Sequence, residues 1–251
     1  MTKIGKLLRR RSGILVPLVE KFLIKTGTDI QIISKSDQKI IEKLVKIQSI
    51  RQDERKGRTT FSGSSAAACM REQAIGFMKG YERPRISDPK AALIFDDGNW
   101  RSLKWTLLFN KMGLLKHTED VVFYPKYNVS GTPDAELDLS RYYPEFDDLV
   151  GVEIKGMHTY EWKQFSVGEA RSKWAIGRYL QSQVYMLITG RKFWIIWGEN
   201  KNDQSFEENV VYRNKEIIRY LKRRYNYMLE AREQKMLPHT ECIFENSDPK
   251  F

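Results

Sequence analysis

The spacing of apolar residues changes period twice along this chain, and that pattern limits the folds open to it. From about Asp97 to Met112 the spacing is helical, with Trp100, Leu103, Leu107 and Leu108 on one face and Gly113 as the stop. Then the period shortens. Val121–Pro125 and Val129–Leu139 read as two strands joined by a turn around Lys126–Asn128. Leu149–Met157 reads as a third, in which Val150, Val152 and Ile154 alternate with Gly151, Glu153 and Lys155. Helical spacing returns between about Ala170 and Thr189, where Gly190 ends it. Phe193–Trp197 is a continuous apolar run suited to a strand buried on both faces. A further strand, Glu208–Tyr212, and a helix capped by Asn214 and running to about Gln234 complete the series. That helix should turn Ile217, Ile218, Leu221, Tyr225, Met228 and Leu229 inward. The order helix, three strands, helix, strand predicts an α/β or α+β domain with a covered sheet, α/β being the class we expect.

Ahead of this core lies a different segment. Ser36 is a plausible N-cap for a helix carrying Ile40, Ile41, Leu44, Val45 and Ile47, and Ile14–Leu23 is an apolar stretch broken by Pro17. Asp53–Ser65, charged and then rich in Gly, Ser and Thr, reads as a linker. From Ser64 a short helix should run to Gly80, with a loop marked by Pro84 and Pro89. We therefore expect a basic helical arm over 1–57 and a main domain over 58–251.

The chain has 251 residues, with 43 Lys and Arg against 32 Asp and Glu. Residues 1–60 hold 15 basic and 6 acidic groups, so +9 of the net +11 sits there. Such a basic arm on a near-neutral body suits a polyanionic partner, nucleic acid before anionic lipid. No apolar run approaches the about 18 residues a membrane span needs. An Arg-rich start also fits an organelle-targeting segment, although Glu20 and the scarcity of serine oppose it. Two cysteines, Cys69 and Cys242, cannot build a disulfide framework, so a reducing, cytoplasmic setting is expected.

The sharpest chemical feature is Gly131-Thr132-Pro133-Asp134 on the second strand with Glu153-Ile154-Lys155 on the third. Residues two apart on a strand share a face, so Glu153 and Lys155 point together while Ile154 enters the apolar layer. Asp134 on the neighbouring strand can lie beside them. Two carboxylates with the Ile154 backbone carbonyl form a hard oxygen donor set suited to Mg²⁺ or Mn²⁺. An ammonium beside them can orient an attacking water or support phosphate charge, as in metal-assisted phosphodiester hydrolysis. A half-exposed strand whose Glu and Lys merely face solvent would give the same triplet.

GTPD followed by EIK resembles the signature of the PD-(D/E)XK nucleases. Gln181-Ser-Gln-Val-Tyr185, one helix later, is similar to the Q-x-x-x-Y pattern of their RecB-like exonuclease branch. The resemblance covers about Phe61 to Thr189 and implies a restriction-endonuclease-like core. It further implies a Mg²⁺- or Mn²⁺-dependent deoxyribonuclease, with an exonuclease on single-stranded or end-containing DNA favoured. Asp134, Glu153 and the Ile154 carbonyl would hold the metal and Lys155 would place the nucleophile. Gln181 and Tyr185, sharing one helical face, would reach toward the metal or the DNA.

The sequence departs from the family at two points. Where RecB-like nucleases often carry a histidine on the first core helix, this chain has Ser102, with Asp96, Asp97 or Glu119 as possible substitutes. The segment around Cys69 is similar to the C-x-R stretch of iron–sulfur members related to the CRISPR-adaptation nucleases. Only Cys242 could join it, so no cluster is expected and Cys69 reads as a small buried residue. Size and the lone nuclease module are similar to stand-alone phage or mobile-element members, implying a host-cytoplasmic location and no membrane.

Candidate DNA contacts are Arg9, Arg10 and Arg11 in the arm, and Arg71, Tyr160, Lys163 and Arg178 near the expected cleft; Trp162 and Tyr160 fall in a polar turn where they could stack on bases. Arg171 and Lys173 belong to the same basic stretch, whereas the remaining tryptophans fit core positions. His117, His158 and His239 lack zinc-site spacing. A replication or recombination protein partner stays open. Two other functions compete: a non-catalytic nucleic-acid binder retaining the fold, and a structure-specific endonuclease or resolvase.

Overall fold

The computed structural model describes residues 13–53, 59–76, 88–144, 146, 148–168 and 173–238. Seven α-helices and eight strands appear among them. In chain order these are α1 (Val16–Thr26), α2 (Lys35–Asp53), β1 (Phe61–Ser62), α3 (Met70–Ile75), α4 (Pro89–Lys111), β2 (Leu115–His117), β3 (Val122–Tyr124) and β4 (Val129–Gly131). There follow β5 (Ala135–Leu137), β6 (Val150–Met157), α5 (Thr159–Ser166), α6 (Lys173–Thr189), β7 (Phe193–Asn200), β8 (Phe206–Tyr212) and α7 (Lys215–Glu233). The architecture is mixed α/β. No helix among the described residues is long and apolar enough to cross a membrane.

The main sheet has the order β2-β5-β6-β7-β8, and β1-β4-β3 forms a smaller one. All neighbours in the main sheet are antiparallel except β6 and β7, which run parallel with Glu153 opposite Ile196. The run Phe193–Trp197 serves both faces of that sheet. Trp194 and Ile196 enter the apolar cluster under α6 and α7, while Ile195 and Trp197 enter the cluster under α1 and α4. In β6 the alternation sends Val150, Val152 and Ile154 to the α1/α4 side. Glu153 and Lys155 are thereby left on the side of α6.

Three sequence expectations need correction. Val129–Leu139 is not one strand: β4 joins the small sheet and β5 the main one, because Pro133 between them has no N–H for a ladder. Strand β2 was not foreseen; three residues are too few to show a period. Helix α4 begins at Pro89, eight residues earlier than expected. Asp88 caps it by accepting from the Lys90 N–H at 2.9 Å, and Pro89 sits in the first turn, where its missing N–H costs nothing. Pro17 likewise opens α1 rather than breaking it.

Smaller differences follow the same physics. The cap of α2 is Ser34 rather than Ser36. Its hydroxyl accepts the Asp37 N–H at 3.2 Å, while the Asp37 carboxylate accepts the Ser34 N–H at 2.9 Å. Phe61–Ser65, placed in a linker, is a strand followed by a 3₁₀ turn, with Phe61 buried against Tyr225. Trp100 and Trp174 are exposed, not core. The stops at Gly113 and Gly190 lie at positive φ, and the Asn214 side chain accepts from Glu216 N and Ile217 N as foreseen.

Residues 13–53 pack directly on the rest. Leu15 and Val19 are fully buried, and the Glu208 carboxylate accepts the backbone N–H groups of Ile14 and Leu15 at the start of α1. On α2, Lys43 Nζ donates to the Thr118 carbonyl and to Asp120 Oδ1, both at 2.6 Å.

Candidate active site

The ladder between β5 and β6 ends where Ala135 meets Val152. One residue further along, Asp134 takes over the role of a strand partner. Its Oδ2 accepts the Ile154 N–H at 2.6 Å. Because N–H and C=O of one strand residue point to the same side, the Ile154 carbonyl faces this open edge too. Asp134 is itself fixed from behind by Thr118, whose hydroxyl donates to the Asp134 carbonyl at 2.8 Å.

Glu153 is buried. Its Oε1 accepts from Lys155 Nζ at 2.5 Å and from Gln181 Nε2 at 2.7 Å. Its Oε2 is buried and has no hydrogen-bond partner among the described residues. Gln181 Nε2 also donates to the Tyr185 hydroxyl at 3.1 Å, and that hydroxyl donates to the Thr132 carbonyl at 3.2 Å. A relay of short contacts thus runs from Glu153 through α6 back to the Gly131–Asp134 turn.

Electrostatics follow from this crowding. Burial, with the Asp134 and Glu119 charges adding to it, raises the Glu153 pKa against the opposing pull of Lys155. Desolvation works against the Lys155 charge, yet Glu153 and Asp134 outweigh it and raise the ammonium's pKa. Burial and the neighbouring carboxylates raise Tyr185 as well, so its phenol stays protonated.

The five residues expected at the centre, Asp134, Glu153, Lys155, Gln181 and Tyr185, are brought together. The flanking set divides. Arg178, one turn before Gln181, pairs with Glu161 Oε1 at 2.5 Å and lies within the electrostatic reach of Lys155 and Glu153. Tyr160 and Lys163 stand on α5, which begins two residues after the end of β6; Tyr160 is 78% exposed. That turn is helical, contrary to expectation, and Trp162 packs inward against Phe165 instead of facing solvent. Arg71 Nε donates to the Pro238 carbonyl at 3.0 Å. Arg9, Arg10, Arg11, Arg171 and Cys242 lie outside the described residues. Cys69, expected to be buried, is half-buried at the start of α3.

Of the three acids weighed as substitutes for a histidine, Glu119 is among the charges that raise the Glu153 pKa. Asp97 is committed to Arg101 at 3.0 Å and Lys201 at 2.7 Å, and Asp96 accepts from Trp100 Nε1 at 3.2 Å. Glu119 sits at φ 51°, in the left-handed region, with its N–H donating to the Pro133 carbonyl at 3.1 Å. Sequence reasoning missed Thr118 and Lys43, which hold that loop; a lone threonine and a helix lysine carry no pattern that would have exposed them.

No family model matches the chain, and no curated protein does. Solved structures do. An alkaline exonuclease from Laribacter hongkongensis is similar at a TM-score of 0.50 with 14% identity, covering 70% of this chain and 89% of that one. The same exonuclease in complex with dAMP gives 0.50 at 16% identity with equal coverage. A phage-related exonuclease from Haemophilus somnus 129PT gives 0.48 at 15%, over 70% of this chain and 94% of that one. At such identities the likeness to the Laribacter enzyme is one of fold.

Proposed function

We propose that the protein is a divalent-metal-dependent deoxyribonuclease of the PD-(D/E)XK, RecB-like type, acting as an exonuclease on single-stranded or end-containing DNA. The observation that carries this is the convergence of Asp134, Glu153 and Lys155 at the open edge of β6, with Gln181 bonded to Glu153. The likeness of fold to an alkaline exonuclease, one form of which holds dAMP, supports it.

No group of three or more His, Cys, Asp or Glu among the described residues is arranged to hold a metal as it stands. The donor set nevertheless fits a hard cation. Glu153 Oε2 is a buried, unpartnered carboxylate oxygen, a costly arrangement without a positive partner. Asp134, Glu153 and the Ile154 carbonyl would hold Mg²⁺ or Mn²⁺. When bound, such an ion activates water for attack on phosphorus and neutralises charge on the leaving oxygen.

The chain's own residues do the remaining work. Lys155 balances the carboxylates, so that an incoming phosphate does not meet two uncompensated negative charges. From Glu153 it needs only a rotamer change to donate toward a phosphate oxygen or the attacking water. Gln181 fixes the Glu153 rotamer, and Tyr185, anchored on Thr132, fixes Gln181. Arg178 would leave Glu161 for a phosphate of the bound strand. Tyr160 and Lys163 would flank the strand beyond the scissile bond. The arm over 1–57, with Arg9, Arg10 and Arg11, would add sequence-independent phosphate contacts to the domain over 58–251.

End-labelled linear and circular DNA, single-stranded and duplex, incubated with Mg²⁺, Mn²⁺ or EDTA, tests this. Shortening of linear substrates with either metal and none in EDTA is the expected result. Cleavage of circles would point to an endonuclease, and binding without cleavage under every condition would sink the enzymatic assignment.

A further inference from the structure

At the far end of the main sheet from the carboxylates, a cavity of about 600 Å³ is lined by Lys192, Arg213, Lys215, Arg219, Lys222 and one apolar residue, Ile218. Lys192 immediately precedes β7 and Arg213 immediately follows β8, while the other four lie on the first turns of α7. Ile196 is opposite Glu153, so Lys192 lies four residues back along the sheet, a rise of about 13 Å. The cavity is therefore separate from the catalytic centre.

Its charge is held at a cost. Lys215, Arg219 and Lys222 follow i, i+4, i+7 spacing, which lines up like charges on one helical face. They also stand at the N-terminal end of α7, where the helix dipole favours anions. Among the described residues none of these three has a carboxylate partner. Arg213 donates to the Gly190 carbonyl at 2.9 Å, a neutral acceptor. Ile218 is buried beneath, so the cavity has no apolar residue to insert into a bilayer.

From this geometry we infer that the cavity is a second nucleic-acid site, which takes consecutive phosphates of one strand outside the metal centre. From Lys215 to Lys222 the helix rises about 10 Å. Such a row is long enough to face more than one phosphate of a strand. A free phosphate would engage only part of the row. Naming the anion as nucleic acid rests on the nuclease assignment; the separation of the cations from the metal centre does not.

The test compares the full chain with its K215Q/R219Q/K222Q variant in EDTA. It follows binding of a long single-stranded oligonucleotide across a salt series. Without these three cations the slope of log K against log salt should be about 2 shallower for the long strand. The thermal midpoint should stay unchanged, because only charged side-chain ends are altered. Lys215→Gln alone should account for about a third of the change. Equal slopes for the long strand overturn the site. So does a variant that binds the long strand normally but loses affinity for inorganic phosphate or anionic phosphatidylserine vesicles. Failure of every DNA to be cleaved would remove the nuclease assignment and leave this comparison of slopes intact.

Discussion

The ring of Tyr185 fills the space in which a side chain at residue 131 would begin: a Cβ built on Gly131 would lie 2.2 Å from Tyr185 Cε1. Gly131 ends β4, three residues before Asp134, so the close approach couples α6 to the turn that delivers the carboxylate. Gly131→Ala should therefore push Tyr185 off the Thr132 carbonyl. The expected outcome is a loss of about 1–3 kcal/mol in stability, as for other overpacked sites. Chemical denaturation measures it. A variant as stable as the parent would mean that Tyr185 has room to move.

Asp134→Ala, Glu153→Ala and Lys155→Ala should each reduce DNA cleavage by at least about 100-fold while the far-UV spectrum is kept. Removing either carboxylate should not weaken DNA binding in EDTA, since a negative charge facing phosphate is lost. Single-turnover rates at saturating metal check the first part and fluorescence anisotropy the second. Near-parental rates in all three variants would remove these residues from the reaction.

Gln181 and Tyr185 act on Glu153 from behind, so their loss should be milder. Gln181→Ala frees the Glu153 side chain and should lower kcat by about 10-fold or more, the usual scale for an orienting contact. Tyr185→Phe keeps the ring against Gly131 and Trp194 and removes only the hydroxyl, so a smaller fall is expected. Tyr185→Ala also empties core volume and should cost about 3–5 kcal/mol. If Gln181→Ala matches the parent on every DNA, the helix face is packing alone.

Acid should loosen the N-terminal helices first. Burial works against the Asp37 charge, but hydrogen bonds from Lys111 at 2.8 Å, Ser34 and Asn110 overcome it and lower its pKa to about 2. A depressed carboxylate stabilises the fold above its unfolded value near 3.8, and this contribution fades as pH falls from there through about 2. Asp37→Asn should flatten the acid limb of the stability curve in that window, with a loss on the order of 1–2 kcal/mol at neutral pH. Parallel acid limbs for variant and parent would mean that Asp37 is not what holds α2 to α4.

What the sequence displayed was whatever repeats within a few residues. The Val150, Val152, Ile154 alternation, the FWIIW run and the Asn214 cap are local patterns, and each sits in the structure where its pattern put it. Interactions between distant parts of the chain left no such trace. Thr118 reaches Asp134 through a backbone carbonyl, which any hydroxyl can find, and Glu119 gains its place from a left-handed turn fixed by Pro133. Pro89 and Pro17 misled because proline is a breaker inside a helix and an ordinary resident of its first turn. Trp162 misled because polar neighbours concealed a helix one face of which meets the core.

The parallel pairing of β6 with β7 requires the chain to travel from His158 to Lys192 and return to the same end of the sheet before β7 is laid down. That excursion carries Arg178, Gln181 and Tyr185. A chain made from its N-terminus thus exposes Glu153 well before Gln181, which orients it, exists. Until the crossover docks, Glu153 lacks the Gln181 contact that fixes its rotamer. On the proposed nuclease reading, the wiring of the sheet is itself a safeguard: a half-made copy carries the acids without the helix that orients Glu153.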